Sequence, residues 1–124
     1  MAKVLVAEDD QFLSKAYSAK LKKSGFEVML ANDGEEVMQK VKTEKPDIIL
    51  LDLIMPKKDG FEVLAELKKD EKLKKIPVVV LSNLGQEEDI TRGKKLGAVG
   101  YLVKSNIPIS AVVEKINQIL GIKA

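Results

Sequence analysis

Five short, unbroken apolar runs alternate along this chain with longer stretches whose apolar residues recur at helical spacing, and this alternation constrains the fold more than any other feature. The runs are Val4 to Ala7, Val28 to Ala31, Ile48 to Leu51, Val78 to Leu81 and Tyr101 to Val103. The clearest three carry no polar residue at alternate positions, so both of their faces need apolar cover, as in the interior of a parallel sheet. Such runs alternating with amphipathic helices predict an α/β fold, one sheet with helices on both sides. A length of 124 residues supplies one domain of this kind and no second core, so residues 1–124 read as a single domain.

The helical stretches carry their own signals. The first places Phe12, Leu13, Ala16, Tyr17 and Leu21 on one face and stops at Gly25, an expected C-cap. The second opens with Asp33 and has Glu36 three residues on, the spacing of a capping box, and should bury Val37, Met38 and Val41. The third repeats the device with Asp59 and Glu62, followed by Val63, Leu64 and Leu67. The fifth starts at Pro108 as first helical residue and carries Ile109, Val112, Val113, Ile116, Ile119 and Leu120. The fourth, Gln86 to Leu96, offers only Ile90 and Leu96 as anchors and contains Gly93, which costs about 1 kcal/mol relative to Ala in a helix interior. It is predicted to be the most loosely held helix. Lys68 to Lys75 reads as a solvated helix end and loop and not as a binding patch.

Composition enters through what it removes. With no histidine and no cysteine, imidazole and thiolate chemistry is excluded, leaving carboxylates, hydroxyls and lysines. Lysine and arginine total 21 against 19 acids, a net charge of +2 spread through the chain, so direct nucleic-acid binding is not expected. No apolar run of about 18 residues and no basic-then-apolar leader is present, so neither a membrane span nor a secretion signal is expected, and a cytoplasmic location is.

Ligands of open parallel sheets bind beyond the carboxyl ends of the strands, so those positions are read first. Glu8, Asp9 and Asp10 follow the first run, Asp52 the third, Ser82 the fourth and Lys104 the fifth. Singly, each has an ordinary structural reading: a helix cap, a turn acid, a hydroxyl on a backbone group, a solvated lysine. Together they bring several carboxylates into one cleft, where they repel one another unless a cation intervenes. Hard oxygen ligands without nitrogen or sulfur favour magnesium. The lysine and the hydroxyl offer a phosphoryl group one positive charge and one hydrogen-bond donor. A carboxylate can itself accept that group, forming an aspartyl phosphate.

These segments resemble the receiver domains of bacterial response regulators. The match runs through Val4 to Asp10, through Asp47 to Pro56 with Asp59 and Gly60, through Pro77 to Ser82, and through Gly97 and Ala98 to Tyr101, Leu102, Val103 and Lys104. It covers essentially the whole chain in order. The resemblance implies a flavodoxin-like, doubly wound, five-stranded parallel sheet in the order 2-1-3-4-5 with five helices. It makes Asp52 the phosphoacceptor, Glu8 and Asp9 the acidic pair that holds magnesium, and the Ile54 backbone carbonyl a further metal ligand. Lys104 and Ser82 match the residues that contact the phosphoryl group, and Tyr101 the aromatic position whose rotamer follows Ser82. The family usually has proline after that lysine, in a cis peptide. Ser105 stands there instead, and non-proline cis bonds cost about 2.5 to 4 kcal/mol. Glu8 stands where aspartate is frequent.

The function this implies is transfer of a phosphoryl group from a phosphohistidine of a sensor histidine kinase or phosphotransfer protein to Asp52. A changed face of fourth helix, fifth strand and fifth helix would then engage a downstream protein, with the chain a monomer or a phosphorylation-dependent dimer, acting alone or as part of a longer regulator. The alternative from another class is a small magnesium-dependent phosphatase with an aspartyl-phosphate intermediate. Such enzymes of the haloacid dehalogenase family place a second acid two residues after the nucleophile, where this chain has Ile54, and a cap domain is not expected within these 124 residues. A flavin-binding module is disfavoured by acids where a phosphate-binding loop should be.

Overall fold

The computed structural model describes residues 1–122. Strands β1 (Lys3–Ala7), β2 (Glu27–Ala31), β3 (Ile48–Leu51), β4 (Val78–Ser82) and β5 (Gly100–Val103) alternate with helices α1 (Gln11–Lys23), α2 (Gly34–Glu44), α3 (Gly60–Lys69), α4 (Glu87–Lys95) and α5 (Ile109–Leu120). A single turn of 3-10 helix, Lys104–Asn106, follows β5. Every strand pairing is parallel, and the strand order is β2-β1-β3-β4-β5, as the resemblance implied.

Two apolar layers follow from the period-two geometry of the strands. Val4, Val6, Ile48, Leu50, Val79 and Leu81 face one side, where Tyr17 and Leu21 of α1 and Val112 and Ile116 of α5 cover them. Leu5, Ala7, Ile49, Leu51, Val78 and Val80 face the other, against Val37 and Val41 of α2 and Val63, Leu64 and Leu67 of α3. Burying one Val, Leu or Ile side chain contributes roughly 1.5–3 kcal/mol, so these two layers supply the main stabilisation, in which α4 takes little part. That helix buries only Gly93. Ile90 and Leu96 remain half-exposed, in line with the thin anchoring expected.

The N-cap half of each predicted capping box forms. Asp33 accepts from the Glu36 amide at 2.8 Å and Asp59 from the Glu62 amide at 2.9 Å. The Glu36 carboxylate reaches back to the Asn32 amide at 3.0 Å, one residue upstream of the cap. Asp10 caps α1 through the amides of Phe12 and Leu13.

Several expectations need correction. Phe12 is 82% exposed. The inward face of α1 is Ser14, Tyr17, Ser18 and Leu21, and at 3.6 residues per turn Phe12 lies about 200° from Ser14. The C-cap of α1 is Ser24, with Gly25 just past it at φ +97°. Gln86 and Leu96 cap α4 from outside, and Pro108 is the N-cap of α5. No described helix is long and apolar enough to cross a membrane.

Candidate functional site

Register places the strand-end residues. Ala7 pairs with Leu51, so Glu8 and Asp52 emerge side by side from β1 and β3. Two ladder bonds continue past the strands, Glu8 N–H to the Ala31 carbonyl at 3.0 Å and Asp52 N–H to the Ala7 carbonyl at 3.1 Å. Ser82 pairs with Val103, so Lys104 leaves β5 one residue beyond β4. The same alternation that divides the core also divides the site. Glu8 and Asp52 continue the rows that face α1 and α5, and Lys104 joins them. Ser82 and Tyr101 continue the rows that face α3 and α4.

On the first side, Glu8, Asp9 and Asp52 each offer a carboxylate oxygen, all within 4.8 Å of one another. Asp9 is exposed, whereas Glu8 and Asp52 are 3% and 6% exposed. Lys104 donates to Asp52 Oδ2 at 2.9 Å and also to Glu8 Oε1. Its ammonium thus compensates two buried carboxylates. Glu8 Oε2 accepts from the Asp10 amide at 3.1 Å. The Ile54 amide donates to Asp52 Oδ1 at 3.2 Å, while the Ile54 side chain is 57% exposed at the lip of the site.

The electrostatics follow from burial and pairing. Burial pushes the Glu8 carboxyl above its ordinary value, and the bonds from Lys104 and the Asp10 amide offset this only in part. Burial alone would depress the Lys104 ammonium. Its bonds to Glu8 and Asp52 outweigh that and hold it above its ordinary value. Burial also raises the Tyr17 phenol, which lies within electrostatic reach of Lys104, Glu8 and Asp52. Tyr17 was legible in the sequence only as a core residue of α1. Three carboxylate oxygens, with no histidine or cysteine anywhere in the chain, suit a hard divalent cation.

On the second side, Ser82 is fully buried, and its Oγ accepts from the Leu84 amide at 3.3 Å. The Tyr101 hydroxyl donates to the Leu84 carbonyl. Both residues are therefore tied to Leu84, and no hydrogen bond joins Ser82 to Asp52. All described peptide bonds are trans, including that between Lys104 and Ser105.

Two residues of α4 carry more than the sequence reading assigned them. A Cβ on Gly93 would stand 3.1 and 3.2 Å from two carbons of the Tyr101 ring, so the glycine that weakens the helix also admits the tyrosine. Arg92 stacks on Phe61 of α3, 4.0 Å from the ring centroid, and supplies part of the anchoring that apolar residues do not. Gly93→Val should expel the Tyr101 ring and break its bond to Leu84, visible as a change in the tyrosine ring NMR shifts. An unmoved ring would contradict the packing.

Known proteins share this family and fold. A family model described as a response regulator receiver domain matches residues 4–117. The chain is similar to protein PilH of Pseudomonas aeruginosa, 33% identical over 121 residues, covering 98% of this chain and 99% of that protein. It is 38% identical over 106 residues to the alkaline phosphatase synthesis transcriptional regulatory protein PhoP of Bacillus subtilis, covering 86% of this chain and 43% of that protein. The chain thus spans less than half the length of that relative. The crystal structure of the Mn(2+)-bound form of response regulator Rcp1 superposes with a TM-score of 0.83 at 36% identity, covering 95% of this chain and 93% of that one. With the fold, the strand order and the family match in agreement, this chain belongs to the response regulator receiver domains of two-component signalling.

Proposed function

We propose that residues 1–124 form a single receiver domain that takes a phosphoryl group onto Asp52 from a phosphohistidine of a sensor histidine kinase or phosphotransfer protein. The observation that carries this reading is the convergence of Glu8, Asp9 and Asp52 within 4.8 Å, with Lys104 bonded to Asp52 and Glu8. Glu8, Asp9 and Asp52, with the Ile54 carbonyl, would hold magnesium, which supplies charge neutralisation at the reacting oxygens. The chain's own residues do the rest. Asp52 is the nucleophile: a carboxylate oxygen forms the new P–O bond as the P–N bond of the donor breaks, and the histidine nitrogen keeps the electron pair. Lys104 offers its ammonium to the transferred group, and positioning supplies most of the remaining rate.

Ser82 is the second donor to the phosphoryl group. To reach it, its Oγ leaves the Leu84 amide, and the Tyr101 bond to the Leu84 carbonyl transmits that movement to α4. The thinly anchored α4 then repacks, and the face of α4, β5 and α5 becomes the surface for a downstream protein. The experiment is amide NMR of the labelled chain with magnesium and beryllofluoride, a phosphoryl mimic. Shifts should appear at residues 8–10, 52–54, 82–84 and 101–104 and vanish in Asp52→Asn. Shifts that persist in the variant would sink the assignment. A steady-state phosphatase assay with excess p-nitrophenyl phosphate should show no sustained turnover, and sustained turnover would favour the phosphatase alternative.

The lifetime of the phosphorylated state follows from the residues two beyond Asp52 and two beyond Ser82. Ile54 and Leu84 are apolar and offer an attacking water no orienting group. Replacing them by Asn and Glu should speed decay of the aspartyl phosphate by roughly tenfold or more. An unchanged decay rate would show that water is oriented by something else.

A further inference from the structure

The lysines are not evenly spread once the chain is folded. At the sheet edge opposite Asp52, where the strands begin, the end of α2 and the turn after α3 enclose a cleft of about 610 Å³. Its floor is apolar, formed by Val41, Pro46, Leu73 and Ile76. Its rim carries Lys42, Lys45 and Lys72, all exposed. Among the described residues, none of the three forms an ion pair. The acid that lines the cleft, Asp70, turns its Oδ1 to the backbone amides of Lys72 at 2.8 Å and Leu73 at 3.1 Å, and so serves as a turn cap.

Lys42 and Lys45 lie at the C-terminal end of α2, where a cation complements the helix dipole. That account does not reach Lys72, which sits in a turn outside any helix. Nor does it explain the backbone of Lys45, which holds φ +48°. Glycine takes that left-handed cap position freely, whereas an L residue spends roughly 1–2 kcal/mol there. Three like charges around one apolar floor are relieved by an anion that also covers the floor.

We propose that this cleft docks an acidic peptide segment of a partner protein, with an apolar side chain on the floor and carboxylates against Lys42, Lys45 and Lys72. A tight small-molecule site needs buried polar groups converging on its ligand, and here the lysines are exposed and Asp70 is engaged. An anionic membrane or a nucleic acid needs a broad basic surface, and Glu44, Asp47 and Glu71 are exposed on the same edge. Docking here leaves Asp52 free, so it proceeds with or without phosphorylation.

The test titrates the labelled full chain with the peptide Glu-Glu-Leu-Leu-Glu-Glu. Saturable amide shifts should be confined to residues 41–45 and 70–76. Asp52→Asn should bind equally. The triple variant Lys42→Glu, Lys45→Glu, Lys72→Glu should lose about tenfold or more in affinity and bind Lys-Lys-Leu-Leu-Lys-Lys instead. Lys72→Glu alone, which leaves α2 untouched, should weaken binding in the same direction. The proposal falls if no saturable shift appears, if the lysine variants bind as well as the native chain, or if hexaglutamate binds as tightly as the leucine-bearing peptide. Stronger lysine-dependent retention on phosphatidylglycerol vesicles would also overturn it, in favour of a membrane surface.

Discussion

Lys104→Met should lower the folding stability of the metal-free chain by about 3 kcal/mol at neutral pH, because removing one partner of a buried ion pair leaves the other uncompensated. Here the loss strands two carboxylates, since Lys104 bonds both Glu8 and Asp52 and all three side chains are nearly inaccessible. The pH dependence has a defined sign. Burial already raises the Glu8 carboxyl, and without the Lys104 bond it rises further. A carboxyl raised in the folded state contributes stability below its unfolded value and loses it as pH rises through the folded value. The variant should therefore lose stability more steeply than the native chain as pH climbs from the ordinary carboxylate range towards neutrality. Magnesium should reverse the effect. A cation present at about a hundred times its dissociation constant returns roughly 2.7 kcal/mol, and without the competing ammonium it should bind more tightly. Urea unfolding with and without magnesium reads both effects. A variant as stable as the native chain, or one no more responsive to magnesium, would show that Lys104 is not the counter-ion of this site.

Gly60→Ala should be comparably damaging for a different reason. A Cβ at that position would stand 2.5 Å from the Asp52 carbonyl oxygen and 2.6 Å from Leu53 Cα, both backbone atoms at the end of β3. The Gly60 amide also donates to the Leu53 carbonyl at 2.9 Å, so the start of α3 cannot swing away without losing that bond. Overpacking of this kind costs typically 1–3 kcal/mol, and the upper end applies because the neighbours are not flexible side chains. A fall in Tm of roughly 10 °C is expected, together with weaker magnesium binding as Asp52 is displaced. Gly25→Ala is the control. Nothing lies within 4 Å of its Cβ, and only its φ of +97° objects, so it should cost about 1–2 kcal/mol and leave magnesium binding alone. Equal magnesium affinity in Gly60→Ala and the native chain would mean that Gly60 does not set the position of Asp52.

The sheet was legible because the clearest three of the five apolar runs need cover on both faces, and that need is written in consecutive residues. The caps at Asp33 and Asp59 were legible because a side chain three residues from its partner is a local matter. The strand order was not readable from any run and came with the resemblance. Phe12 was misplaced because apolar character marks a buried face only on average. Here Ser14 and Ser18 take the inward positions, as small residues do where a helix lies close against its neighbours. The convergence of Glu8, Asp9, Asp52 and Lys104 was readable because parallel strands bring their ends to one edge. That Ser82 and Tyr101 lie on the other side of the sheet follows from the same period of two, once the register is known. Gly93 and Gly60 were opaque for a common reason: what a missing Cβ makes room for lies on another element, Tyr101 of β5 in one case and the end of β3 in the other. The lysine edge was hidden likewise, because Lys42 and Lys45 meet Lys72 only after α2 and α3 are packed side by side.

Asp52 as the phosphoacceptor is the claim on which the rest depends, and intact mass measures it most directly. The native chain and Asp52→Ala are incubated side by side with acetyl phosphate and magnesium, then weighed. The native chain should gain the mass of one phosphoryl group, and chelating the magnesium should abolish the gain. Asp52→Ala should gain nothing. No added phosphoryl on the native chain, or equal addition to Asp52→Ala, would contradict the account.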